Sequence, residues 1–311
     1  MLAVSAQTLL LRLCGLLAMM LLTSLPLRCA AAGMQRVVLV ISESSQPYLD
    51  FVTAYGNRLA VGAPDAVLQV MDLAQFRQQA PERADLLVSA GSPAAELLAA
   101  QSGTPQLMSL ITRASHARFG GSKAGGVFID QPPARYAALA RAALPAYSRV
   151  GLLVGRDSEQ TAAQLGNAAR ARGLQVLSVR VGEEAEIHAG LREILEQPTV
   201  LMALPDNTVF NARTLPSLLL ASFRARAPVL GFSPAYVSAG AVVALYSTPQ
   251  QLALQSADIS IGVLRGGAMP AAQYPQHYTI GVNERVARSL GLNLDDETAI
   301  RARLEKLERQ P

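Results

Sequence analysis

Tryptophan is absent from this 311-residue chain, and all aromatic residues together make up only 5% of it. Tyr48, Phe128, Phe210, Phe232 and Tyr236 are therefore the few rings that could cover the apolar body of a ligand. The three histidines, His116, His188 and His277, lie far apart and without metal-ligand spacing, so no metal site is expected. The chain has no G-x-S-x-G elbow, no Walker loop and no G-x-G-x-x-G turn, and no cofactor is called for. Acidic pairs such as Glu183-Glu184 and Asp295-Asp296 stand at expected helix starts, where compensation of the helix dipole accounts for them. An enzyme is thus poorly supported. Only 16% of residues are charged, and the basic ones are scattered with no polybasic run, which argues against nucleic-acid binding.

Cysteine is nearly absent too: Cys14 and Cys29 are the only two, and both fall in the N-terminal segment. That segment places Arg12 before an apolar run, then Pro26 and the small residues Ala30-Ala31-Ala32, the layout of a secretory signal peptide spanning residues 1–32. Arg28 and Leu13 precede the cysteines where a lipoprotein signal needs a small residue, so lipidation is not expected. The mature protein is predicted to be exported, free of disulfides and held together by its core alone. Removing Arg12 and Arg28 from the 27 basic residues leaves 25 against 23 acidic ones, a net charge of about +2 that points to no particular partner.

Half the residues are hydrophobic, enough to bury two cores, and they come in short runs that alternate with helical patterns. VVLVIS, AVLQVM, DLLVSA and the segment 106–111 read as strands, each but the last followed by a helix; the same alternation restarts after Pro133. Strands and helices in this order predict an α/β fold with two Rossmann-like lobes, each built on a parallel sheet, joined by a hinge. The lobes are expected to comprise residues 33–130 with about 246–275, and 131–245 with about 276–311, with the first crossover at 128–132. Residues 112–126, polar and glycine-rich, are expected to form a surface loop.

Candidate binding residues cluster at the strand ends, the edge at which open α/β sheets hold ligands. The run 199–203 stops at Pro205 and delivers Asp206 and Asn207. Gly91-Ser92-Pro93 and Ser233-Pro234 each read as a serine N-cap with proline at the first helical position, leaving backbone N–H groups at the strand edge. The two devices together could hold a small zwitterion, its carboxylate at the Ser92 helix end and its ammonium at Asp206. Ser44, at the exit of the first strand, and Phe128, at the crossover, are further wall candidates. Asp206 could equally cap the helix that follows it.

LPAYSRVGLLVG (144–155), LPDNTVFN (204–211), APVLGFSPAYVSAGAVVAL (227–245) and YTIGVNERVARSLGL (278–292) resemble the periplasmic substrate-binding proteins of ABC transporters. The likeness is to the type I two-lobe fold, in the branch that includes tryptophan- and phenylalanine-type binders. It implies a monomer that closes around a small-molecule, amino-acid-like ligand and delivers it to an ABC permease in the inner membrane, with Ser92, Asp206 and Asn207 in the pocket. The same clamp could instead serve a membrane sensor or scaffold. The chain departs from the branch in TRASHARFGG, where its members carry a glycine- and aspartate-bearing loop.

Overall fold

Short apolar runs with β-branched residues form the inner strands here because both faces of those strands are covered, and the alternation shows in what each side chain packs against. In the first half the order is β1 (Gln35–Ile41), α1 (Gln46–Gly62), β2 (Ala66–Asp72), α2 (Leu73–Gln78), β3 (Leu86–Ala90), α3 (Ser92–Ala99), β4 (Gln106–Ile111), α4 (Arg113–Phe119) and β5 (Gly125–Phe128). These strands form one sheet ordered β2-β1-β3-β4-β5, in which β1, β3, β4 and β5 run parallel. Val37, Leu39, Leu86 and Val88 join a core on one face, while Val38, Val40 and Leu87 join a second core on the other. The two-residue period of a strand thus feeds two helix layers from one sheet. This computed structural model describes residues 34–101, 103–121 and 123–309; the expected signal segment lies outside the described residues.

The second half repeats the plan. It runs α5 (Pro133–Ala143), β6 (Arg149–Val154), α6 (Glu159–Ala171), β7 (Gln175–Arg180), α7 (Ile187–Ile194), β8 (Val200–Met202), α8 (Leu215–Arg224), β9 (Val229–Gly231), α9 (Pro234–Ala239) and β10 (Val243–Tyr246). The sheet is ordered β11-β10-β9-β8-β6-β7; β11 (Thr279–Val282) is antiparallel to β10, and the other printed pairings are parallel. Val150, Leu152 and Met202 face one helix layer and Leu153 and Leu201 the other. A fully buried side chain of this kind contributes about 1.5–3 kcal/mol. Among the described residues, no helix is long and apolar enough to cross a membrane.

The chain passes between the sheets three times. After β5 it enters the second half at Pro133; after β10 it returns as α10 (Pro249–Leu264), which packs Leu252, Ala253, Ala257 and Ile261 into the core of the first sheet. It then runs along the edge of β5, where Val127 bridges Gln273, before reaching β11, α11 (Glu284–Ser289) and α12 (Glu297–Glu308) in the second half. Polar side chains stitch these passages together. Gln131 Nε2 donates to Ser247 Oγ at 2.8 Å, and Ser247 Oγ donates to the His277 carbonyl at 2.6 Å. Arg135 donates to Gln131 Oε1, to the Pro275 carbonyl and, from Nε at 2.7 Å, to Glu308 of α12.

One expectation is corrected. Residues 112–126 are not simply a loop: Thr112 accepts the N–H of Ser115 at 3.1 Å and caps α4. The apolar period is missing because the buried side chain of this helix is a polar one, His116, which is 5% exposed and contacts the Ala124 carbonyl at 3.1 Å. Just upstream, Leu110 adopts a φ of 51° at an irregularity in the β4–β5 register. A non-glycine residue in that region is strained, and the kink re-aims the chain into Thr112 and Arg113.

α10 is held to α1 by buried hydroxyls, with Tyr55 donating to Ser260 Oγ at 2.7 Å inside the core. Tyr55→Phe should lower stability by about 1 kcal/mol in urea denaturation, the worth of one buried hydrogen bond. An unchanged midpoint would show that this bond does not secure α10 to the first half.

Candidate functional site

The C-terminal ends of the two sheets face a polar cavity of about 510 Å³ and an adjoining apolar cavity of about 240 Å³. Ser92, Thr112, Arg113, Ser115 and Arg118 form the first-sheet wall of the polar cavity, and Asp157, Gln160, Asp206 and Asn207 form the opposite wall. Among the described residues, no hydrogen bond or ion pair joins the two walls. The apolar cavity lies along the passages between the sheets, lined by Ile129, Tyr136, Leu165, Leu204, Phe232 and Tyr246 with Ser233 and Ser247. Asp130, Thr161 and Pro205 line both cavities, so the two are compartments of one cleft.

Asp206 was expected to meet a ligand's ammonium, and its geometry assigns it other work. Its residue is 5% exposed. Oδ1 accepts the N–H groups of Thr208 and Val209 at 2.9 and 3.1 Å, and Oδ2 accepts the N–H and the hydroxyl of Ser158 at 3.1 and 2.8 Å. Four donors fill the four lone-pair directions of a carboxylate, leaving none for a ligand. The carboxylate thereby fixes the turn after β8 and ties it to the residue that opens α6. Gly155 makes the approach possible, since a Cβ at that position would collide with both Asp206 oxygens. Asn207, by contrast, is exposed in the cavity, where its Nδ2 donates to Asp157 Oδ2 at 3.0 Å.

The other sequence-predicted residues divide. Ser92 lines the polar cavity, but it is the first residue of α3 rather than its cap. Gly91 occupies the cap position with a φ of 93°, and the Ser42 hydroxyl accepts the N–H of Ala94 at 3.0 Å. A side chain on Gly91 would press on Ser42 Oγ and Tyr48 Oη, so the tight turn requires glycine. Ser233 does cap α9 by position and lines the apolar cavity, although its hydroxyl makes no capping bond. Ser44 is exposed and lines neither cavity. Phe128 is 6% exposed and packs edge-on against His116 and Tyr274, a core ring rather than a cavity ring.

Sequence reading missed Arg113, Asp130, Gln160 and Thr161 as lining residues. Asp130 Oδ2 accepts the Arg113 N–H at 2.7 Å. Desolvation raises the Asp130 carboxyl from its ordinary value, against the opposing pull of backbone N–H groups and the Arg113 charge. The signal available for Arg113 was the break in pattern at 112–126; Asp130 stands at the expected crossover, and Gln160 and Thr161 in the first turn of α6 carried no signal of their own. Among the described residues no cluster of His, Cys, Asp and Glu could hold a metal ion.

The family of ABC transporter substrate-binding proteins matches residues 56–305. Among solved structures the chain is similar to a conserved domain protein from Vibrio cholerae, at 20% identity and a TM-score of 0.61, over 87% of this chain and 98% of that one. It is similar to an ABC domain in complex with L-Trp from Streptococcus pneumoniae at 19% identity and a TM-score of 0.60, covering 86% and 97%. A ligand-free, open structure of a substrate-binding protein with adhesive properties from Clostridium difficile aligns at 15% identity and a TM-score of 0.66, covering 83% and 95%. At these identities the likeness is one of fold. No curated protein matches the chain.

The assignment of Asp206 to the protein's own donors can be tested without a ligand. Asp206→Ala should cost about 3 kcal/mol of stability in urea denaturation, because it leaves buried N–H groups unpaired. Gly155→Ala should cost about 1–3 kcal/mol through overpacking against the carboxylate. Two variants with wild-type midpoints would show that the carboxylate is not held in this way.

Proposed function

We propose a solute-delivery role from a plain premise: the chain belongs to the ABC transporter substrate-binding protein family. In this reading the protein is exported, loses residues 1–32 and works in the periplasm. There it takes up a small amino-acid-like solute and presents it to an inner-membrane ABC permease for import. The lobes are residues 33–130 with about 246–275, and 131–245 with about 276–311, and they close on the solute by bending at the three passages.

The observation that carries the ligand class is the pairing of compartments. A polar cavity and an apolar cavity share Asp130, Thr161 and Pro205, which suits a solute with a charged head and an apolar body. The head lies between the Ser92 and Asn207 walls, and the body lies against Phe232, whose ring packs on Tyr236 at a centroid distance of 4.4 Å. The L-Trp bound by the Streptococcus pneumoniae domain is a solute of this shape. No catalytic step is needed in this role; the work is capture and release.

A thermal-shift screen of the purified protein against amino acids, small peptides, nucleosides and organic acids should give its largest upward shift with an amino acid carrying an apolar side chain, since binding to the folded state alone stabilises it. Phe232→Ala should weaken that solute about tenfold, the equivalent of roughly 50 Å² of lost apolar contact. A flat screen of folded, ligand-free protein, or a Phe232→Ala variant with undiminished affinity, would contradict the reading.

A further inference from the structure

Asp206 is saturated, and so a cationic group entering the cleft needs another acceptor. Asp157 already takes the Asn207 amide and stands exposed on the outer wall. Asp130 is different. It lines both compartments, it is half-buried, and one oxygen, Oδ2, receives the Arg113 N–H while Oδ1 receives no side-chain donor among the described residues. A half-buried carboxylate with open acceptor positions at the join of two cavities is poised for an ammonium group.

Arg113 supplies the opposite charge in the same cavity. Its guanidinium makes no hydrogen bond or ion pair among the described residues, whereas Arg118 lies over the Phe119 ring at 5.1 Å. The Arg113 charge is close enough to act on the Asp130 carboxyl, and on the Tyr274 hydroxyl behind it, yet the two side chains do not form an ion pair. The strained φ of 51° at Leu110 and the Thr112 cap set the backbone that carries Arg113, so its placement is built into the end of β4.

We propose that Arg113 and Asp130 form a two-point clamp for a free α-amino acid, with Arg113 taking the carboxylate and Asp130 the ammonium at the mouth of the apolar cavity. The clamp rests on the solute-binding reading given above and narrows it. The guanidinium can meet the carboxylate through two parallel N–H donors. The ammonium restores to Asp130 the countercharge that burial withholds. A solute lacking either end leaves one charge of the cleft without its partner, so the pair selects against amides, N-acylated amino acids and the interior residues of peptides.

Isothermal titration against the twenty L-amino acids identifies the tightest one, which is then compared with its N-acetyl and carboxamide derivatives on wild type, Asp130→Asn and Arg113→Gln. On wild type each derivative should bind at least about tenfold more weakly than the parent, the worth of a lost charge-assisted bond. On Asp130→Asn the N-acetyl penalty should shrink to about twofold, and on Arg113→Gln the carboxamide penalty should do the same, as expected of coupled partners. If a variant does not fold, the derivatives on wild type still decide. Derivatives that match the parent, or penalties undiminished in both variants, would overturn the clamp. If only a nucleoside or an organic acid binds in the thermal-shift screen, the clamp falls while solute binding stands; if no solute from any class binds, both fall.

Discussion

The chain must leave and re-enter each sheet, and everything about the cleft depends on how those passages are held. Three strands of backbone pass between the halves, and a line of side-chain bonds from Gln131 through Ser247 to His277 links all three. Arg135 anchors that line to α12 through Glu308 and stacks on Tyr278 at 4.5 Å. Hydrogen bonds to a charged group contribute about 1.5–3 kcal/mol. The passages therefore behave as one strap rather than three separate threads. Asp130, Gln131, Tyr246 and Ser247 belong both to this strap and to the wall of the apolar cavity. Any change in the angle between the halves reshapes the cavity, and a solute seated there bears directly on that angle.

The two carboxylates of the cleft divide the labour of structure and recognition. Asp206 spends every acceptor on Ser158, Thr208 and Val209, and the result is a rigid edge to the second sheet. Asp130 keeps acceptors open in a place where burial disfavours its charge. A wall fixed by its own hydrogen bonds faces a carboxylate with acceptors to spare, so ordering of the Asp206 turn is not part of the cost of filling the site.

The architecture was legible because its signals are local and repeated. Continuous apolar runs such as VVLVIS and RVGLLVG are the pattern of strands buried on both faces in a parallel sheet, and β1 and β6 take such positions. Pro249 and Gly266 mark the limits of α10 as plainly in the sequence as in the fold. The site was legible only in outline. Ser92, Asp206, Asn207 and Ser233 do lie at the cleft, but whether a carboxylate there is free or occupied depends on Ser158, 48 residues away, and on the absence of a Cβ at Gly155. Neither relation has a periodic signature. Arg113 escaped notice for a similar reason, because α4 buries a histidine instead of an aliphatic side chain and so carries no helical stripe.

The central claim is that the solute sits at the join of the two cavities, and a crystal structure of the complex tests it most directly. The account predicts density for the head group between Arg113 and Asp130 and for the body against Phe232, with Asp206 still bonded to Ser158, Thr208 and Val209. A solute bound at the Asp206 carboxylate, with those bonds broken, or one lying outside both cavities, would contradict it.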